Sequence, residues 1–189
     1  MTIEQIYEEL DKHQLKGIMM HADLMDLFDF LNLHGFKRQQ EYQYFLESVG
    51  LRIVHRYYTN HHGKILITHH DPYSRLTPEN WKNYTRNDVD PKTRRTMVEE
   101  AFLRWKKWEK ETKEFYCKLF AECTSNNWIA DALKIGDLIK DVDQELKYLE
   151  RQLLELKACD FDMLFMLQEQ SDLHKCYKEK LKSISTEIC

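Results

Sequence analysis

Apolar residues recur every three or four positions along most of this chain, the signature of amphipathic helices. Ile3, Ile6, Tyr7 and Leu10 follow a capping-box pair, Thr2 and Gln5, and predict a short N-terminal helix over 1–12. Leu15, Ile18, Ala22, Met25, Phe28 and Leu31 predict a second helix over 14–33, with His34-Gly35 as its stop. Tyr42, Phe45, Val49, Ile53 and Tyr57 mark a third over 37–61, closed by Gly63. Met97, Ala101, Trp105, Trp108, Thr112, Phe115 and Leu119 line one side of a helix over 91–123. The cleanest pattern follows. Ile135, Ile139, Val142, Leu146, Leu149, Leu153 and Leu156 alternate four and three apart, a heptad seam on a helix over 127–158. Met163, Met166, Leu173, Tyr177, Leu181 and Ile184 predict a last helix over 161–187.

Helix breakers fall between these segments. All three prolines, Pro72, Pro78 and Pro91, lie in one window, and four of the five glycines precede it. Proline costs about 3 kcal/mol inside a helix and glycine about 1 kcal/mol, so 63–90 reads as an irregular connection between two helical blocks. Asp90-Pro91 is a strong helix start, an acidic N-cap followed by proline at the first helical position. Connections this long are unusual inside a domain, and a crossover running the length of a bundle is one reason for them. Trp81 is expected to pin it. The 189 residues are read as one all-α domain.

Composition narrows the class. The chain is 42% hydrophobic and 32% charged, the balance of a water-exposed bundle. No apolar run approaches the roughly 18–20 residues that span a bilayer. The acidic N-terminus lacks the pattern of a secretory signal, so the expected location is cytoplasmic. Five cysteines with no CxxC argue against a disulfide framework or a zinc knuckle. The net charge of −4 disfavours general nucleic-acid binding, although residues 37–118 carry seventeen bases against eleven acids. No phosphate-cradling glycine loop or nucleophile elbow is present.

Two antiparallel helices, a long crossover and two more antiparallel helices over 14–158 give a layout that resembles the ferritin-like bundle. The resemblance implies an up-down four-helix core with extra terminal helices. In its iron-binding members, a glutamate on two helices and Glu-x-x-His on the other two converge inside. No glutamate of this chain is followed three residues later by histidine. The seam of the 127–158 helix is free of acids, with Asp141 and Glu145 beside it, which speaks against a metal core. A differently built set remains, His21 with Asp23, Asp26 or Asp29 on the second helix and Glu41, Glu47 and His55 on the third, but it reads as surface acids plus one polar residue near a helix interface.

Two faces remain as candidates. The first is basic and aromatic, comprising Arg52, Arg56, Tyr57, Tyr58, Trp81, Tyr84, Arg86, Arg94 and Arg95. Arginine and large aromatics carry interface energy, so the leading expectation is a non-catalytic interaction protein, an adaptor or inhibitor, with a protein partner or a second copy of itself and no cofactor. The second is the histidine-rich stretch His55, His61, His62, His69, His70 and Asp71, a transition-metal donor set. It supports the alternative, a ferritin-like metal-binding or oxidase protein with a non-standard site.

Overall fold

The computed structural model describes residues 1–68, 84–85 and 89–187. Among them the chain is all-α, with five helices and no strand. The Thr2 side chain accepts the Gln5 N–H at 3.2 Å and the Gln5 side chain accepts the Thr2 N–H at 2.9 Å, completing the capping box. From there α1 runs unbroken over Ile3–Phe30. The two helices predicted over 1–12 and 14–33 are therefore one. Lys12, His13 and Gln14 contain no breaker, and the buried stripe Ile6, Leu10, Gln14, Gly17, His21, Leu24, Phe28 passes straight through them. The bundle thus has one extra helix, at its C-terminal end.

The stop also moves. Asn32 takes the left-handed conformation at φ 57°, which asparagine tolerates better than most residues, and the Leu33 N–H closes the turn on the Phe28 carbonyl at 2.8 Å. His34-Gly35 opens α2 (His34–His62). Gly35 is needed for packing rather than for a turn, because a Cβ there would land inside the backbone of Gln170. Gly63 ends α2 in the left-handed region as expected. The Asp90 side chain accepts the N–H groups of Lys92 and Thr93 at 2.8 and 3.0 Å and starts α3 (Pro91–Ser125). After Asn127 at φ 60° comes α4 (Ile129–Ala158), and α5 (Met163–Glu187) begins where Asp162 accepts two backbone N–H groups.

α1 packs on α2, α3 on α4, α5 on α2, and α1 lies across to α3. Contacts fix the directions. Tyr7 on α1 meets His62 at the end of α2 and Asp131 at the start of α4, while Phe28 meets Phe36 and Phe102 at the other end. So α1 runs antiparallel to α2 and α3 and in the same sense as α4. Leu66 belongs to the apolar cluster around Tyr7, and Val89 to the cluster around Phe28. The connection between α2 and α3 therefore starts at one end of the bundle and finishes at the other.

The core is not continuous. One apolar cluster gathers Met20, Leu24, Phe28, Phe36, Phe102, Leu149 and Leu156, and the other gathers Ile6, Tyr7, Leu10, Val54, Leu119 and Ile135. Each buried side chain of this size contributes about 1.5–3 kcal/mol. Between the clusters all four long helices present polar residues: His21 from α1, Gln40, Gln43 and Glu47 from α2, Glu109 and Thr112 from α3, and Glu145 from α4.

Candidate metal centre

Helical spacing places each member of this layer. Glu109 lies four residues after Trp105 and three before Thr112, all buried on the inner side of α3. Glu145 lies three after Val142 and four before Leu149, so it shares their face. The acid-free seam is thus corrected. α4 turns inward along Asp131, Ile135, Val142, Glu145, Leu149, Gln152 and Leu156, and four of the seven predicted seam residues, Ile135, Val142, Leu149 and Leu156, belong to this polar-interrupted one. Glu145 is half-buried as a residue, but its Oε1 is shut off from solvent and has no hydrogen-bond partner.

His21 is fully buried. Its Nδ1 lies 2.8 Å from the Gln40 carbonyl oxygen, an acceptor, so the ring proton sits on Nδ1. Nε2 is left with its lone pair, has no hydrogen-bond partner and stands 4.0 Å from Glu109 Oε1. The Trp105 Nε1–H donates to that same oxygen at 3.0 Å, and the Trp105 ring stands edge-on to the imidazole. One donor atom from each of His21, Glu109 and Glu145 lies within 4.8 Å of the others. Glu47 closes the layer from α2, with its Cδ 3.5 Å from where a Cβ on Gly17 would stand.

Burial dominates the electrostatics. It lowers His21 to about 4, against the opposing Gln40 hydrogen bond, so the imidazole is neutral. It raises Glu47 to about 7. Glu145 rises to about 8 through burial and then the Glu47 charge. Glu109 is held well above the carboxylate range by burial, then by Glu145 and Glu47, with the Trp105 N–H opposing. Tyr116 is pushed up by burial and then by Glu47 and Glu109. Three acids in one dry space repel each other, and a buried unpaired carboxylate is costly. Protons relieve the repulsion, and so does a divalent cation. Carboxylate oxygens plus one imidazole nitrogen form a hard-to-borderline donor set suited to manganese and iron among the first-row metals. The orphaned His21 Nε2 and Glu145 Oε1 are the atoms such an ion would satisfy. Gln40 already supplies the second contact that orients a ligating histidine.

The basic and aromatic set does not assemble into one face. Arg52 and Arg56 are exposed on the second half of α2. Tyr58 is only 1% exposed, packed on Tyr7 and His62, and offers no contact surface. Tyr57 is half-buried against Tyr7. Arg94 and Arg95 are half-buried at the start of α3, at the opposite end of the bundle, where Arg95 is engaged by Asp160. Tyr84 is exposed, and Trp81 and Arg86 lie outside the described residues. The histidine set divides as well. His55 bonds Asp11, His61 and His62 lie beside Asp131, and His69, His70 and Asp71 lie outside the described residues.

The sequence points to His21 as a polar residue near a helix interface and to Glu47 as a surface acid, and it does not mark Glu109 and Glu145 as inward groups. No signal along the chain sets the two acids apart: Glu145 has Val142 and Leu149 on its face, but Glu109 has Trp105 before it and only the polar Thr112 and Lys113 after it. Among the described residues no helix is long and apolar enough to cross a membrane. The chain matches no model of a known protein family and no curated protein.

Proposed function

We propose that this chain is a metal-binding helical protein of ferritin-like layout, holding a divalent first-row ion of the manganese or iron class in the polar layer between its two apolar clusters. The observation that carries the reading is the convergence of His21, Glu109 and Glu145 from three helices to within 4.8 Å of one another. Glu47 adds the fourth helix. The antiparallel pairs, and a connection whose ends lie at opposite ends of the bundle, support the ferritin-like layout. The donor set departs from that family's pattern, because its histidine comes from α1 and no Glu-x-x-His takes part.

The residues divide the work. His21 Nε2 supplies a neutral nitrogen, and Gln40 fixes its tautomer and ring orientation. Glu109 and Glu145 supply anionic oxygens, and the Trp105 N–H holds in place Glu109 Oε1, the oxygen that faces His21. Glu47 supplies further negative charge. The two apolar clusters exclude water on both sides, which strengthens every charge interaction between them. An adaptor or inhibitor role gains less support, since the residues expected to form its contact face are split between the ends of the bundle and one of them is core.

Thermal unfolding of chelator-treated, untagged protein with and without Mn(II) tests the reading. An ion at about 100 times its dissociation constant stabilises the fold by about 2.7 kcal/mol. The Glu109→Gln and Glu145→Gln variants should lose most of that gain while remaining folded. Equal Mn(II) stabilisation of wild type and both variants would remove the polar layer as the site.

A further inference from the structure

A second donor cluster stands at the end of the bundle where α2 finishes and α4 starts. His61 and His62 close α2, and Asp131 lies in the first turn of α4. The His62 Nε2 is 2.9 Å from Asp131 Oδ1, and one donor atom of each of the three residues lies within 4.8 Å of the others. Asp131 is 3% exposed and is held by the Tyr7 hydroxyl, which donates to the same oxygen at 2.8 Å. His62 is half-buried, wedged by the rings of Tyr7 and Tyr58, and His61 is exposed with its ring at right angles to that of His62. Adjacent histidines on a helix project about 100° apart, and here Asp131 stands within reach of both.

We propose that His61, His62 and Asp131 form a zinc site separate from the polar layer, with two imidazoles and one carboxylate as protein ligands and the fourth position open to solvent. Two neutral imidazoles with one carboxylate and an open position is a donor set zinc accepts. The parts are unequal in mobility, as a site that closes on its ion requires. Tyr7 locks Asp131, aromatic packing holds His62, and exposed His61 swings in. Zinc–nitrogen and zinc–oxygen bonds run at about 2.0–2.2 Å, which sets tetrahedral donors about 3.3–3.6 Å apart, so the hydrogen-bonded His62–Asp131 pair gives up its shared proton to solvent and opens slightly while His61 closes in. Beside the site runs a shallow groove lined by Ile53, Arg56, Tyr57, Asn60, His61 and Lys134. The charges of Arg56 and Lys134 favour hydroxide or another anion over a neutral ligand in the fourth position.

The test uses untagged full-length protein freed of metal by chelation and titrated with Zn(II) against a chromophoric competitor. A Glu109→Gln/Glu145→Gln background takes both carboxylate ligands out of the polar layer, so the outcome does not depend on the reading given above. That background should still bind one equivalent of zinc. Adding His61→Ala, an exposed change that leaves the packing of α2 intact, should weaken it by about tenfold or more, since loss of even an outer-shell partner costs 10–100-fold. Co(II) added instead of zinc should give visible absorption from a four-coordinate centre in the background protein, and His61→Ala should lose it. Absence of zinc binding in the background protein overturns the proposal. So does zinc affinity unchanged by His61→Ala, which would put the ion on other histidines.

Discussion

Glu47 offers the sharpest energetic check on the polar layer, because burial alone accounts for its displacement. Its carboxyl moves from 4.5 to about 7 on folding. At about 1.36 kcal/mol per pH unit, ionising it inside the folded protein costs about 3 kcal/mol, and the partial exposure of the residue reduces this to about 2–3 kcal/mol. The sign follows from linkage. With a raised pKa the folded state holds its proton more tightly than the unfolded one. The associated stability is therefore complete below pH 4.5 and is lost as the pH rises through 7. Glu47→Gln keeps the shape and cannot ionise. In chelator-treated protein, wild type and variant should melt together near pH 4.5 and separate at pH 8. There the variant should be more stable by about 2–3 kcal/mol, roughly 4–12 °C for a chain of this size. Thermal unfolding by circular dichroism across pH 4.5–8 reads this directly. Parallel pH profiles for the two proteins would show that Glu47 is solvated and the layer is not dry.

Other expectations bear on the frame around the layer. Leu149→Ala, at a fully buried position of the α4 seam, should cost about 2–5 kcal/mol in denaturant unfolding, and a loss under about 1 kcal/mol would mean that α4 is packed differently. Gly35→Ala should push α5 off α2 at a cost of about 1–3 kcal/mol. Hydrogen exchange should quicken in α5 and hold in α3 and α4, whereas unchanged protection of α5 would deny the close approach. Tyr7→Phe removes a hydrogen bond to a buried carboxylate and should cost about 1.5–3 kcal/mol, and a neutral result in chemical denaturation would mean that Asp131 does not depend on Tyr7.

Much of the helical frame was legible in the chain because its signals are local. The Thr2–Gln5 box, the Asp90-Pro91 start and the Gly63 stop each act within one helical turn, and each sits where the spacing put it. The continuity of α1 past Lys12 was illegible for the opposite reason. A pause in the apolar stripe at Gln14 looks like an end until Gly50 and α2 are seen beside it, with the Gln14 Nε2 standing 3.5 Å from where a Gly50 Cβ would be. The same applied to the site. Glu109 and Glu145 are indistinguishable along the chain from the solvated acids Glu111 and Asp141. Only the meeting of four helices makes them neighbours of His21. The basic and aromatic residues misled because closeness in sequence, from Arg52 to Arg95, spans the full crossover and ends at opposite poles of the bundle.

The central claim concerns where an ion sits, and anomalous scattering tests it most directly. Crystals of untagged protein grown with Mn(II), measured where manganese scatters anomalously, should show a peak among His21 Nε2, Glu109 and Glu145, with ligand distances of about 2.0–2.3 Å. The Gln40 carbonyl should still be hydrogen-bonded to Nδ1. A polar layer without a peak, its carboxyls joined to one another by hydrogen bonds at saturating Mn(II), would contradict the account and leave the cluster as a proton-sharing seam between two apolar cores.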